Sequence, residues 1–231
     1  IGTIQDIPAI GKLAKSKGIY FHTDACQAGL LDLDVGHLQV DLMTLNGSKL
    51  HGPKGSGILY KRSGIPMHPL LHGGGQEQNI RSGTEHVAGI VGFAKALSLM
   101  QQQRERETER LIISRDHLIR DILQKIPDTV LNGHPTQRLP NNVSITFKGV
   151  DSESLLIALN EYGIYASFGS ACASKKIGPS HVILATGVPE KKAQGTLRFT
   201  LGRYTTEEDI RSVLDVLPDV VKKLRSVSGG S

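Results

Sequence analysis

VDLMTLNGSKLHGPKGSGILY, residues 40–60, is the stretch from which the fold is read. Val40 to Leu45 is an apolar run of strand length, and Ile58-Leu59-Tyr60 is a second one. Between them, Asn46 to Gly57 carries Gly47, Gly52, Pro53 and Gly55, which predicts a loop. Upstream, Ile19-Tyr20-Phe21-His22 predicts a further short strand. Ahead of it, Asp6 to Lys17 predicts a helix: Asp6 stands at the N-cap, Ile7, Ile10, Leu13 and Ala14 share a face, and Gly18 ends it. Strands alternating with helices predict an α/β sheet, in which ligands bind at the carboxyl ends of the strands.

Further along, Leu70 to Thr84 is polar and contains Gly73, Gly74 and Gly75, so no regular element is expected. A long helical region follows from about Glu85 to Lys125. Its charged middle, Gln101 to Arg110, reads as a solvated face, and a domain change is placed there, dividing the chain into 1–103 and 104–231. The remainder reads as a smaller α+β unit. Asn142 to Phe147 alternates as a strand, Ser152 to Asn160 is a helix with Ser152 as its cap, and Gln194 to Leu201 is a strand. Glu207 to Leu224 is an amphipathic helix expected to kink or break at Pro218, and the tail from Ser226 to Ser231 is expected to be loose.

Composition narrows the function classes. The 231 residues are 39% hydrophobic and 21% charged, the profile of a globular chain with a substantial core. The net charge of +5 comes from scattered basic residues, aromatics are 4% and Trp is absent, which argues against a nucleic-acid surface. Cys26 and Cys172 form neither a CxxC pair nor a disulfide framework, so a reducing, cytoplasmic compartment is expected. There is no apolar run of membrane-spanning length and no signal-peptide pattern. IGTIQDIPAIGKLAKSKGIYFHTDA, residues 1–25, reads like the middle of an α/β protein, which predicts further sequence upstream of Ile1.

Five segments carry candidate chemistry. His22 to Gln27, HTDACQ, lies at a strand end, where Asp24 could hold a cationic ring nitrogen or a metal, or only cap a helix. In NGSKLHGPKGSG, Asn46 to Gly57, Lys49 sits among glycines that let backbone approach a ligand. It could form a Schiff base or hold a phosphate, with Lys54 competing for the role, or both lysines could be solvated. The spacing is not that of a P-loop. GGGQEQNIRSGT, Gly73 to Thr84, offers amides, Arg81 and Thr84 to an anion, or is a plain surface loop. His68 and His72 are four apart, but Pro69 disfavours a helix between them, so no metal is expected. SFGSACASKKIGPS, Ser167 to Ser180, surrounds Cys172 with small residues near Lys175 and Lys176, the setting of a reactive thiolate. Cys26 reads instead as a small packed residue. In LRFTLGR, Arg198 alternates with Leu197 and Phe199 and could make an ion pair or clamp a carboxylate.

In this order the segments resemble the cysteine desulfurases, fold-type I pyridoxal-phosphate enzymes of the class V aminotransferase group. SFGSACAS is similar to the catalytic loop of the members that feed iron–sulfur assembly and tRNA thiolation, and GGGQEQNIRSGT and RFTLGRYTTEEDI match as well. The resemblance implies the C-terminal part of a fold-type I large domain over 1–103, followed by a small domain bearing the cysteine loop. It implies pyridoxal 5'-phosphate as cofactor, no metal, and L-cysteine converted to L-alanine. Lys49 would join the cofactor, Asp24 would pair with its ring nitrogen, and Gln27 would bond its ring oxygen. Thr84 would reach the phosphate of the partner subunit in a homodimer, Arg198 would bind the substrate carboxylate, and Cys172 would take the sulfur as a persulfide. An iron–sulfur scaffold or sulfur-carrier protein would be the acceptor, with no direct nucleic-acid or membrane partner.

Where the commoner pattern has Ser-x-His before the lysine, this chain has Asn46 and Ser48, whose amide and hydroxyl can still donate to phosphate. The resemblance also implies that a stacking histidine and further phosphate contacts come from upstream of Ile1, so the 231 residues alone are expected to be inactive. Two other readings are a related enzyme, such as a selenocysteine lyase or an aminotransferase, and a non-catalytic fragment that keeps only partner binding.

Overall fold

A computed structural model describes residues 1–169 and 178–228, which fold as two compact units. One unit is Gln5–Glu105; the other joins Ile1–Ile4 to Arg106–Ser231.

The Gln5–Glu105 unit opens with α1 (Ile7–Ser16), begun by Asp6, whose carboxylate accepts from Ala9 N at 3.0 Å. Gly18 at φ +64° lets the chain leave the helix in a left-handed conformation. The first strand, β1 (His22–Asp24), starts later than the Ile19–His22 run predicts. Phe21 is bound instead by Asp41: its N–H donates to the Asp41 carboxylate at 2.8 Å and its carbonyl accepts from Asp41 N at 2.9 Å. Then come α2 (Val35–Leu38), β2 (Leu42–Asn46), a single 3-10 turn (Gly47–Leu50) and β3 (Gly57–Lys61). The expected irregular stretch holds one short turn, Glu77–Asn79, whose three residues all take positive φ, before α3 (Val87–Gln102).

β1 runs parallel to β2, with Asp24 opposite Thr44, and β3 runs antiparallel to β2, with Asn46 opposite Gly57. Asp24, Asn46 and Gly57 therefore stand at the same end of the three-stranded sheet, the carboxyl end of its parallel pair. Along β2, Met43 and Leu45 turn inward to meet Ala25, Leu38, Val40, Leu50 and Phe93. Each large apolar side chain buried in this way contributes roughly 1.5–3 kcal/mol. Ile58 and Leu59 on β3 stay 39% and 45% exposed.

The second unit is built on α4 (Arg104–Lys125), β4 (Thr129–Leu131), β5 (Asn142–Phe147), α5 (Ser152–Asn160), α6 (His181–Ala185), α7 (Glu190–Ala193), β6 (Thr196–Thr200) and α8 (Glu207–Ser228). The single helix expected from Glu85 to Lys125 is two helices parted at Gln103. Its charged middle is not simply a solvated face. Gln101 donates to the Gly29 carbonyl at 2.8 Å, and Arg110 donates to the carbonyls of Gly202, Arg203 and Thr205, so these side chains fasten loops. Asp151, not Ser152, caps α5, accepting from Ser154 N at 2.8 Å. One helix runs through Pro218 without the expected interruption.

β5 lies between β4 and β6, antiparallel to both. Its two faces differ. Val143, Ile145 and Phe147 join Leu197 and Phe199 in an apolar core. On the other face Asn132, Thr146 and Thr196 are buried and bonded to one another, with Thr146 Oγ1 2.8 Å from Thr196 Oγ1. The segment Ile1–Ile4 is held to this unit by Leu139 N donating to the Gly2 carbonyl at 2.7 Å and Arg138 Nη2 donating to the Ile1 carbonyl at 3.1 Å. Among the described residues, no helix is long and apolar enough to cross a membrane.

Candidate functional site

At the carboxyl end of the first sheet, β1 terminates in Asp24. Asp24 is exposed, and its Oδ1 accepts from Cys26 N at 3.0 Å, which turns the chain sharply after the strand. The Cys26 thiol and then its backbone N–H hold the Asp24 carboxyl below the usual carboxylate range, so the group is ionised at neutral pH. Burial, and then the Asp24 charge, push the Cys26 thiol up to about 11, while Lys49 acts in the opposite sense. Cys26 therefore lies within electrostatic reach of both Asp24 and Lys49. It is half-buried beside the strand end, where the sequence suggests a small packed residue.

The adjacent strand β2 ends in Asn46, which opens the turn carrying Lys49. Asn46 Oδ1 accepts twice from Ser48, from its N–H at 2.9 Å and from its hydroxyl at 2.8 Å. These bonds close one 3-10 turn and leave Lys49 exposed near its end. The turn is packed from beneath by α3: a Cβ on Gly47 would collide with Ser56 Oγ and come within 2.9 Å of the Phe93 ring. Only glycine allows the backbone this close.

Asn46 and Ser48 line an open cavity of about 590 Å³ together with Cys26, Lys54 and Ser56. Asp24 and Lys49 stand beside this group without lining the cavity. Its polar lining is the Lys54 side chain, the Asn46 amide, the Cys26 thiol and two hydroxyls, with no carboxylate. Ser48 Oγ already donates to Asn46 Oδ1 and Ser56 Oγ to the Pro53 carbonyl, so the ammonium and the amide are the donors left for a phosphate-sized anion. From the sequence, Lys54 stood out only as a rival to Lys49. The signal for its place in the cavity was the spacing of Gly47, Pro53, Gly55 and Ser56, which folds the loop back on itself.

Gln27 and Thr84 are both exposed, and neither side chain hydrogen-bonds to another described residue. In the second unit Arg198 sits on β6 opposite Ser144, on the polar face, between the buried Leu197 and Phe199. Its Nε is buried and has no hydrogen-bond partner among the described residues, leaving a donor unmatched. Arg198 also exchanges two backbone hydrogen bonds with Ser167, at 3.0 and 2.7 Å, an isolated bridge that sequence periodicity did not indicate. Cys172 lies outside the described residues.

Comparison with known proteins bears on this arrangement. The family model described as Aminotransferase class-V matches residues 1–213. The chain is 54% identical over 229 residues to cysteine desulfurase IscS of Methanosarcina thermophila, covering 99% of this chain and 56% of that protein. It is 48% identical over 229 residues to the protein of the same name from Dictyoglomus turgidum, covering 99% and 58%. Among solved structures, the NifS-like protein of Rickettsia africae matches with a TM-score of 0.87 at 30% identity, over 96% of this chain and 59% of that one. A second NifS-like protein matches with a TM-score of 0.88 at 33% identity, over 97% and 59%. The chain thus spans less than three fifths of the length of these relatives.

Proposed function

We infer function from one premise: the chain belongs to the aminotransferase class-V family. The family's cofactor is pyridoxal 5'-phosphate. The single observation that carries the reading further is the convergence of the ionised Asp24 and the Asn46–Lys49 turn on neighbouring strand ends of one sheet, beside an anion-fitting cavity. The proposed activity is that of a cysteine desulfurase, which takes L-cysteine to L-alanine.

When bound, the cofactor supplies an electron sink for the substrate α-carbon, strongest while its ring nitrogen stays protonated. Asp24, held as a carboxylate, favours that protonation, and Gln27 bonds the ring oxygen. Lys49 would hold the cofactor and would move the substrate α-proton as a general base. Asn46 serves the phosphate through its Nδ2 protons, with Ser48 holding its carbonyl oxygen, and Thr84 serves the phosphate of a partner subunit in a homodimer. Arg198 binds the substrate carboxylate, a role supported by its unmatched buried Nε. The Cys172 thiolate forms a bond to the substrate sulfur as the carbon–sulfur bond breaks, leaving a persulfide on the enzyme and alanine as product. An iron–sulfur scaffold or a sulfur-carrier protein is the proposed acceptor, and residues 1–103 and 104–231 are the proposed large- and small-domain portions.

The test compares Cys172→Ala with Lys49→Ala in the complete enzyme. Cys172→Ala keeps the visible absorbance of bound cofactor and loses alanine release by at least about a hundredfold, as expected for a lost nucleophile. Lys49→Ala loses the absorbance as well. Wild-type turnover by Cys172→Ala, or a keto acid as product, would sink the assignment.

A further inference from the structure

Replacing the commoner Ser-x-His by Asn46 and Ser48 removes the one side chain of that pair able to carry positive charge. The structure sharpens the deficit. Ser48 spends its single hydroxyl proton on Asn46 Oδ1, so it turns lone pairs, not a donor, to the cavity. Asn46, with its carbonyl oxygen taken twice by Ser48, keeps both Nδ2 protons unused among the described residues. A phosphate monoester carries close to two negative charges at neutral pH, and this pair meets it with one neutral amide.

The missing charge is found six residues after Ser48. Pro53 to Ser56 form a turn in which Ser56 N donates to the Pro53 carbonyl at 3.4 Å and Gly55 takes the left-handed position at φ +77°. This turn is fixed against the Asn46–Lys49 turn by Gly47 N donating to the Ser56 carbonyl at 2.9 Å, and by the absence of a side chain at Gly47. Lys54 at its corner lines the same cavity as Asn46 and Ser48, and no carboxylate pairs with it among the described residues. Lys49 does not line that cavity, so the two lysines have separate places.

We propose that Lys54 supplies the positive charge of the phosphate subsite in this chain, with Asn46 Nδ2 as its main neutral donor. The proposal rests on the reading of the chain as a pyridoxal-phosphate protein. The two lysines of the loop then have different roles, with Lys49 serving the carbonyl of the cofactor and Lys54 its phosphate.

The experiment titrates the complete enzyme, as wild type, Lys54→Gln, Lys54→Arg and Asn46→Ala, with pyridoxal 5'-phosphate and, separately, with pyridoxal, which lacks the phosphate. Binding is followed by cofactor absorbance, and inorganic phosphate serves as competitor. Lys54→Gln weakens pyridoxal 5'-phosphate about tenfold and leaves pyridoxal unchanged, as expected for loss of a charge-assisted contact to phosphate. Asn46→Ala shows the same selectivity, Lys54→Arg keeps most of the affinity, and inorganic phosphate competes with the cofactor in wild type but not in Lys54→Gln. Lys54 is exposed, so equal thermal unfolding of wild type and Lys54→Gln confirms intact folding. Unchanged cofactor affinity in Lys54→Gln, or equal weakening of both ligands, overturns the subsite alone. A wild-type protein that binds neither ligand overturns the cofactor reading, and the subsite with it.

Discussion

Gly47→Ala is the substitution that most directly tests how the site is assembled. Gly47 is not in the left-handed region, so alanine suits its backbone and the cost comes from contacts alone. The new Cβ would collide with Ser56 Oγ, lie 2.9 Å from Phe93 Cδ2 and lie 3.1 Å from the Pro53 carbonyl oxygen. Carbon atoms pack at roughly 3.5–4.0 Å, so the Phe93 ring must retreat by roughly half an ångström or more. Phe93 is 2% exposed within the Met43–Leu45–Leu50 core, and overpacking of this kind costs about 1–3 kcal/mol. Turning the Ser56 hydroxyl away gives up its 2.6 Å bond to the Pro53 carbonyl, about 1 kcal/mol. Against this, alanine lowers the entropy of the unfolded chain, returning about 0.4–1 kcal/mol. The expected net loss is about 2 kcal/mol, read as a lower midpoint in urea unfolding followed by circular dichroism. Gly47→Ala/Ser56→Ala removes the colliding hydroxyl and recovers about 1 kcal/mol, a coupling that a double-mutant cycle isolates. Gly55→Ala is the control: its Cβ meets nothing, so only the left-handed backbone at φ +77° is penalised, about 1–2 kcal/mol. Gly47→Ala within about 0.5 kcal/mol of wild type, the range of a neutral surface change, would refute the close approach of the two turns.

Two other perturbations address the rest of the molecule. Thr146→Val keeps the shape of a buried side chain but removes the hydroxyl that bonds Asn132 at 3.0 and 3.1 Å and Thr196 at 2.8 Å; a loss of about 1–3 kcal/mol in urea unfolding is expected. A neutral result would mean that the polar face of the second sheet is not a closed network. Asp41→Asn tests the clasp across the first sheet, where Asp41 accepts from Phe21 N at 2.8 Å and from Arg62 Nε at 2.7 Å. The Phe21 N–H, and then Arg62, hold this carboxyl below the usual range. A depressed folded-state pKa gives stability that is present above about pH 4, the unfolded value, and lost as pH falls through the folded one. The gap in melting temperature between wild type and Asp41→Asn should therefore be largest at pH 7 and narrow at pH 3; an equal gap at both pH values contradicts this.

What the amino-acid order determined by itself was local. The β5 strand Asn142–Phe147 and the α5 helix Ser152–Asn160 were legible to the residue, because alternation and helical periodicity are written in neighbours a few positions apart. The Asp6 cap and the α/β class were legible for the same reason. The tertiary structure decided everything that depends on which distant segments meet. It set β1 parallel to β2 and β3 antiparallel, so that Asp24 and Asn46 share one end of the sheet. It left Cys26, expected as a small packed residue beside the strand end, half-buried, and put Arg110, in a run that looked merely solvated, onto the carbonyls of Gly202 and Thr205. It brought Lys54 to the cavity of Asn46 and Ser48 by way of a contact between Gly47 and Ser56. The physical reason is range. Caps, turns and periodicity are interactions within one or two turns of backbone, whereas strand order, close backbone approach and buried polar pairing exist only once chain segments many residues apart are packed together, and they leave no periodic trace in either segment alone.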